Sequence, residues 1–152
     1  MNYDFANFDK NFDHESLKSE YVEAQKRKVH FPKIPDGFYE VSVKRMELKV
    51  SKKGDPMLAI QFEILEGEFE GLIIFVNQVL TSGFGILNAN RILRGMVSGE
   101  DIEWRNSFSL YANLINHLFD QIKNSRKYTI SYSTTKKGYK DVEIYGVFEV
   151  ED

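Results

Sequence analysis

The chain has no cysteine, only three prolines and three histidines, and a single tryptophan. Without cysteine there can be no disulfide and no thiolate metal site, and nothing marks an oxidising compartment. No apolar run is long enough to span a bilayer. Met1 is followed at once by polar, acidic and aromatic residues rather than a basic and then apolar stretch. A signal peptide is therefore not expected, and the cytoplasm is the expected location. Positive charge is not in excess either: 20 Lys and Arg against 23 Asp and Glu leave a net charge of −3. That total argues mildly against nucleic acid, but what decides is whether the lysines share one surface. His14, His30 and His117 stand in unrelated settings with no metal-ligand spacing. No serine sits in a nucleophile elbow, and no acid pair is set apart from the surface charge. The expectation is a protein that is not an enzyme and uses no metal and no cofactor.

What remains is an ordinary globular composition, with 42% hydrophobic and 28% charged residues over 152 positions. That length suits one domain with arms. Its organising stretch runs from Gly37 to Thr81. Tyr39, Val41 and Val43 alternate with Glu40, Ser42 and Lys44, the period of two of a half-buried strand. Leu58, Ile60, Phe62 and Ile64 repeat the pattern. The third run, from Leu72 to Leu80, is apolar on both faces until Asn77, so its inward face stays open between two registers. Turns fall at Ser51–Asp55 and Glu66–Gly71. Strands are thus predicted near residues 37–50, 57–66 and 71–81, and two more near 126–134 and 139–150.

Between the third and fourth strands the period changes to that of helices. One is predicted over Ile86–Val97, with Ile86, Leu87, Ala89, Ile92, Leu93 and Met96 on its apolar stripe. A second is predicted over Ser109–Lys123, burying Leu110, Leu114, Ile115, Leu118, Phe119 and Ile122. Gly83-Phe84-Gly85 precedes the first, but it lacks the third glycine, the parallel βαβ setting and the P-loop Lys-Ser/Thr, so it reads as a helix start. Trp104 lies in the connector and is expected to pack against helix sides. At the N-terminus, residues 1–13 interleave Tyr3, Phe5, Phe8 and Phe12 with Asp4, Asp9 and Asp13. Such an arm either docks its rings or is ordered on binding a partner. A helix is predicted from His14 to Lys28, closing on Lys26-Arg27-Lys28. The expected domains are an arm and helix over 1–33 and one domain over 34–152.

Three strands, a helical pair and two strands form the element order of the OB-fold, a five-stranded Greek-key barrel. The expected fold is mainly β (α+β): an OB-like barrel with the helical pair between strands 3 and 4 and an N-terminal helical arm. Such a barrel binds oligonucleotides on strands 2 and 3 and on the loops joining strands 1–2 and 4–5. Here both loops carry a Lys-Lys-Gly tip, Lys52-Lys53-Gly54 and Lys136-Lys137-Gly138, flanked by Lys49 and Lys140. Lysines at hairpin tips also keep strand edges unpaired; two such tips on the two binding loops point to a phosphate-contacting groove. Stacking faces for bases would come from Phe75, with Asn77 beside it, if the third strand turns them outward, and from Tyr139 and Tyr145. Tyr128 and Tyr132 share a face with Ile130 and are assigned to the core.

The segments Ile34-Pro35-Asp36-Gly37-Phe38-Tyr39-Glu40-Val41, Ser51-Lys52-Lys53-Gly54-Asp55-Pro56-Met57 and Asn77-Gln78-Val79-Leu80-Thr81 resemble a family of small phage and prophage proteins of Gram-positive bacteria. The resemblance covers about residues 34–105. That family is catalogued as a domain of unknown function, its genes tend to lie beside replication and recombination genes, and it carries no agreed set of functional residues. The resemblance implies a single-stranded DNA-binding protein of OB type. The expected partner is single-stranded DNA, with RNA not distinguished. The alternative is an interaction module whose arm recruits a replication, recombination or host protein.

Overall fold

The computed structural model describes residues 15–22, 34–98 and 100–150. The chain divides into two compact units, Met1–Lys33 and Ile34–Asp152. In the first, residues 15–22 are helical (α1); the predicted arm over 1–13 and the Lys26-Arg27-Lys28 cluster lie outside the described residues. The second unit holds β1 (Gly37–Val50), β2 (Pro56–Ile64), β3 (Ile73–Val79), α2 (Gly83–Met96), α3 (Phe108–Ile122), β4 (Arg126–Thr134) and β5 (Lys140–Glu149). All pairings are antiparallel, and the strand order is β3-β2-β1-β4-β5.

β1 serves two neighbours in turn. Gly37–Val41 pairs with β4, and Val41–Val50 pairs with β2. A register shift between Val43 and Arg45 marks a bulge at Lys44. The bulge changes the phase of the strand: Val41 and Val43 are buried before it, Met46 after it. Lys44 and Arg45 therefore both reach solvent, side by side in sequence. Pairing also settles β3. Ile74 stands opposite Phe62 and is buried with it, while Phe75 is 61% exposed.

The core lies between the inner face of the sheet and the two helices. Leu58, Ile60, Phe62 and Ile64 meet Ala89, Ile92, Leu93 and Met96 of α2 and Ile115, Leu118 and Ile122 of α3 within one buried cluster. Each of these side chains larger than alanine contributes on the order of 2 kcal/mol by leaving water. Tyr128 is buried and Tyr132 packs against the cluster, as their shared face with Ile130 predicts. Two helix positions differ from the sequence pattern. Leu87 and Leu110 are exposed because they lie off the buried stripes, which run through Ala89, Ile92, Leu93 and Met96 in α2 and through Tyr111, Ile115, Leu118 and Ile122 in α3. The two helices start after caps Ser82 and Ser107. Their hydroxyls accept from Gly85 and Leu110 at 3.1 and 3.2 Å. Tyr111 takes the buried position instead, donating to Asn90 at 2.6 Å.

The sheet is open. β3 and β5 are its two edges, so the closed barrel expected from the element order is replaced by an open sheet of the same five strands. α2 contacts both edge strands. Asn88 donates to Gln78 of β3, and Arg91 donates to Asp141 and to the Val142 carbonyl of β5. Side chains of one helix thus bind the edges that no ladder joins.

Candidate nucleic-acid interface

The solvent face of β1, β2 and β3 forms three cross-strand rows. Arg45, Gln61 and Phe75 make the first, Glu47, Ala59 and Asn77 the second, and Lys49, Met57 and Val79 the third. Alanine at the centre leaves a dip, and all of these residues but Val79 line, together with Val50, Ser51 and Lys52, an open groove of about 470 Å³. Arg45 grips Glu47 at 2.8 Å, so the one carboxylate in the groove is partnered by a guanidinium. Lys49 and Lys52 stand exposed at one end, the Phe75 ring at the other side. Of the residues predicted from sequence, Lys49, Lys52, Phe75 and Asn77 come together here. Lys53 is exposed on the same turn without lining the groove.

The two Lys-Lys-Gly tips are the same turn built twice. In the first, the Ser51 N–H donates to the Asp55 carbonyl at 2.8 Å, the Gly54 N–H to the Ser51 carbonyl at 2.9 Å, and the Asp55 N–H to Ser51 Oγ at 3.1 Å. Thr135, Gly138 and Tyr139 repeat those bonds at 2.7, 2.9 and 3.1 Å. Gly54 and Gly138 have φ of +89° and +86°, which disfavours any residue with a Cβ. The hydroxyl residue and the glycine are thus dictated by the turn. The paired lysines are not: all four point into solvent and no local bond requires them.

The second tip does not face the groove. β4 runs antiparallel to the start of β1, with Gly37 opposite Tyr132. Lys136, Lys137 and Tyr139 therefore sit beyond the beginning of β1, and Lys52 and Lys53 beyond its end. Lys140 is engaged locally. Its ammonium lies 2.9 Å from Asp36 and 2.8 Å from the Thr134 hydroxyl, and 5.0 Å from the Tyr132 ring centre. The hydrogen bond to Lys140, helped by Thr134, holds the Asp36 carboxyl below its usual range, and the same contact raises Lys140.

Tyr145 is 62% exposed and meets the 64% exposed Phe38 edge-on, with ring centres 5.0 Å apart. Phe38, Arg45 and Gln61 were not singled out by sequence. Arg45 had a signal, because the apolar positions slip from Val41 and Val43 to Met46 and Leu48. Trp104 packs on α3, 4.9 Å from Phe108 and 5.4 Å from Tyr111 between ring centres, as its connector position predicts. His117 is exposed. Among the described residues no group of three or more His, Asp and Glu is placed to hold a metal ion, and no helix is long and apolar enough to cross a membrane.

No curated protein matches the chain. Residues 19–84, which include β1, β2, β3 and the first basic turn, match the model of the family described as "Protein of unknown function (DUF669)", a domain of unknown function as the sequence resemblance implies.

Proposed function

We propose that this protein binds single-stranded DNA without regard to base sequence, coating it during replication or recombination, through an OB-like face. The observation that carries the reading is the groove, where a 61% exposed phenylalanine ring shares one surface with unpaired lysines. A single exposed ring is common on protein surfaces; this one shares a groove with cations, the combination that a stacking platform needs. A nucleobase stacks on such a ring whatever its identity, and lysines neutralise the phosphates on either side. Gln61 and Asn77 each offer a donor and an acceptor that adapt to any base edge. Support for the OB-like description comes from β1 being shared between β2 and β4 in a five-stranded antiparallel sheet left partly open. The phage setting and the place in replication or recombination rest on the sequence resemblance alone. No catalytic step and no cofactor enter this function.

The test is a titration of labelled oligo(dT) at low salt, beside a duplex of equal length and oligo(U). Saturable binding of oligo(dT), at least tenfold tighter than the duplex, is expected; the oligo(U) arm ranks RNA against DNA. Binding to neither strand type, or equal binding to duplex, rejects the reading.

A second reading, a protein-interaction module, is favoured by Phe84 and Leu87. They are 86% and 61% exposed, one turn apart at the start of α2. Loss of a replication or recombination partner on Phe84→Ser/Leu87→Ser, with oligonucleotide binding intact, would select it.

A further inference from the structure

The groove occupies only the second half of β1. On the first half, ahead of the bulge, Phe38 projects from the same solvent face, since its neighbours Val41 and Val43 two and four positions on from Tyr39 turn inward. Tyr145 reaches Phe38 because β4 lies between their strands: Phe38 stands opposite Ser131, and Ser131 opposite Glu143. A register shift in the β4–β5 pairing leaves Tyr145 outside the ladder, which frees its ring to lean across. Both rings are more than three-fifths exposed, yet they contact each other rather than the core. The basic hairpin tip with Lys136, Lys137 and Tyr139 rises beside this end of β1. Between the two aromatic places, the bulge turns Lys44 and Arg45 outward together.

We infer that the outer face of β1 is one continuous track for a single strand, with a second base-stacking station at Phe38 and Tyr145. This rests on the nucleic-acid reading of the groove and extends it. Lys44 carries the backbone from the groove to the station, beside the Arg45–Glu47 pair, and Lys136 and Lys137 receive it beyond. Glu40 and Glu143 also belong to this face. They keep phosphates off the centre of the station and leave the rings to bases, so that neutralisation comes from the cations at its two ends. The track explains why the two basic turns lie at opposite ends of β1. A groove alone would need only one of them.

Length is the property that tests it. From Phe38 to Lys49 the strand spans about 35 Å at ~3.3 Å per residue. A stacked strand advances ~3.4 Å per nucleotide, so covering β1 from the second station to the lysine end of the groove takes roughly ten nucleotides, within the ~4–16 that one OB-type domain covers. Joining the stations through one ligand raises affinity without any new contact.

The experiment compares (dT)5 and (dT)15 on the full chain, wild type against Phe38→Ala/Tyr145→Ala. Wild type is expected to hold (dT)15 at least tenfold more tightly than (dT)5. The double variant should lose about tenfold on (dT)15 and less than twofold on (dT)5, and Phe38→Trp/Tyr145→Trp should bind like wild type. Unchanged affinity of the alanine variant for (dT)15, equal losses on both lengths, or a matching loss in the tryptophan variant overturns the second station while leaving the groove in place. Failure of wild type to bind either oligonucleotide overturns the nucleic-acid reading itself.

Discussion

Asn88 of α2 donates a 2.7 Å hydrogen bond to Gln78 of β3 and accepts two from Arg91, at 2.9 and 3.0 Å. Arg91 in turn reaches Asp141 and the Val142 carbonyl on β5, both at 3.3 Å. The relay runs from one edge of the open sheet to the other. Arg91→Ala is expected to cost about 1 kcal/mol, since the ion pair is partly exposed and the carbonyl contact is a single bond. That corresponds to about 3 °C in melting temperature for a chain of this size. Hydrogen exchange should quicken on β3 and β5 more than on β1. Loss confined to α2 would mean the relay does not hold the edges.

Two neighbouring glycines should respond in opposite directions. A Cβ on Gly85 would lie 2.3 Å from the Val79 carbonyl oxygen, a backbone atom that cannot move aside. A Cβ on Gly83 meets nothing within 4 Å. Gly85→Ala is expected to destabilise by more than about 2 kcal/mol through displacement of the β3–α2 junction. Gly83→Ala should be neutral or stabilise by up to about 1 kcal/mol, because alanine favours the helix. Denaturant midpoints of the two variants decide the matter; equal effects would contradict the close approach.

Burial pushes the Tyr111 and Tyr128 phenols up to about 12. Tyr111 donates to Asn90 and Tyr128 to the Met96 carbonyl at 3.2 Å, bonds that need the neutral form. A group whose folded pKa exceeds its unfolded value of about 10 supports the fold below that pH and loses its contribution above it. Stability should therefore fall from about pH 10 to about pH 12. Tyr111→Phe should flatten part of that decline while costing stability at neutral pH, because Asn90 is left buried without its donor. An alkaline limb identical in wild type and Tyr111→Phe would refute the assignment.

Much of the strand pattern was legible because one face of each strand is wet. Alternation placed Leu58, Ile60, Phe62 and Ile64 inward without help. Phe75 was not decidable, since Ile73, Ile74, Phe75 and Val76 satisfy either face; pairing of Ile74 with Phe62 decides it. Phe38 gave no sign of function in sequence, because its partner Tyr145 arrives only through the β1–β4–β5 register. The Lys-Lys-Gly repetition was visible, but half of it is turn chemistry shared by Ser51 and Thr135. Its placement at opposite ends of β1 follows from the switch of pairing at Val41, which has no local signature. The open seam escaped notice because it depends on polar contacts from α2, not on strand periodicity.

Trp104 offers an internal control. It sits against Phe108 and Tyr111 and does not line the groove. Its emission should change on unfolding and stay constant when oligo(dT) binds. Strong quenching at stoichiometric oligonucleotide, with the far-ultraviolet spectrum unchanged, would place the ligand on the helices instead.

The most direct measurement of the groove is the salt dependence of oligo(dT) affinity, for wild type and for Lys49→Glu/Lys52→Glu/Lys53→Glu. Each phosphate neutralised on a single strand contributes a log–log slope of about −0.7. The triple variant is expected to lose roughly 2 from the magnitude of the wild-type slope and most of its affinity at low salt. Its folding stability should barely change, since exposed turn charges contribute little. Lys26→Glu/Arg27→Glu/Lys28→Glu, of equal charge change, should leave the slope nearly intact. The same slope in wild type and the groove variant, or an equal drop from both triple variants, would contradict a groove-bound strand.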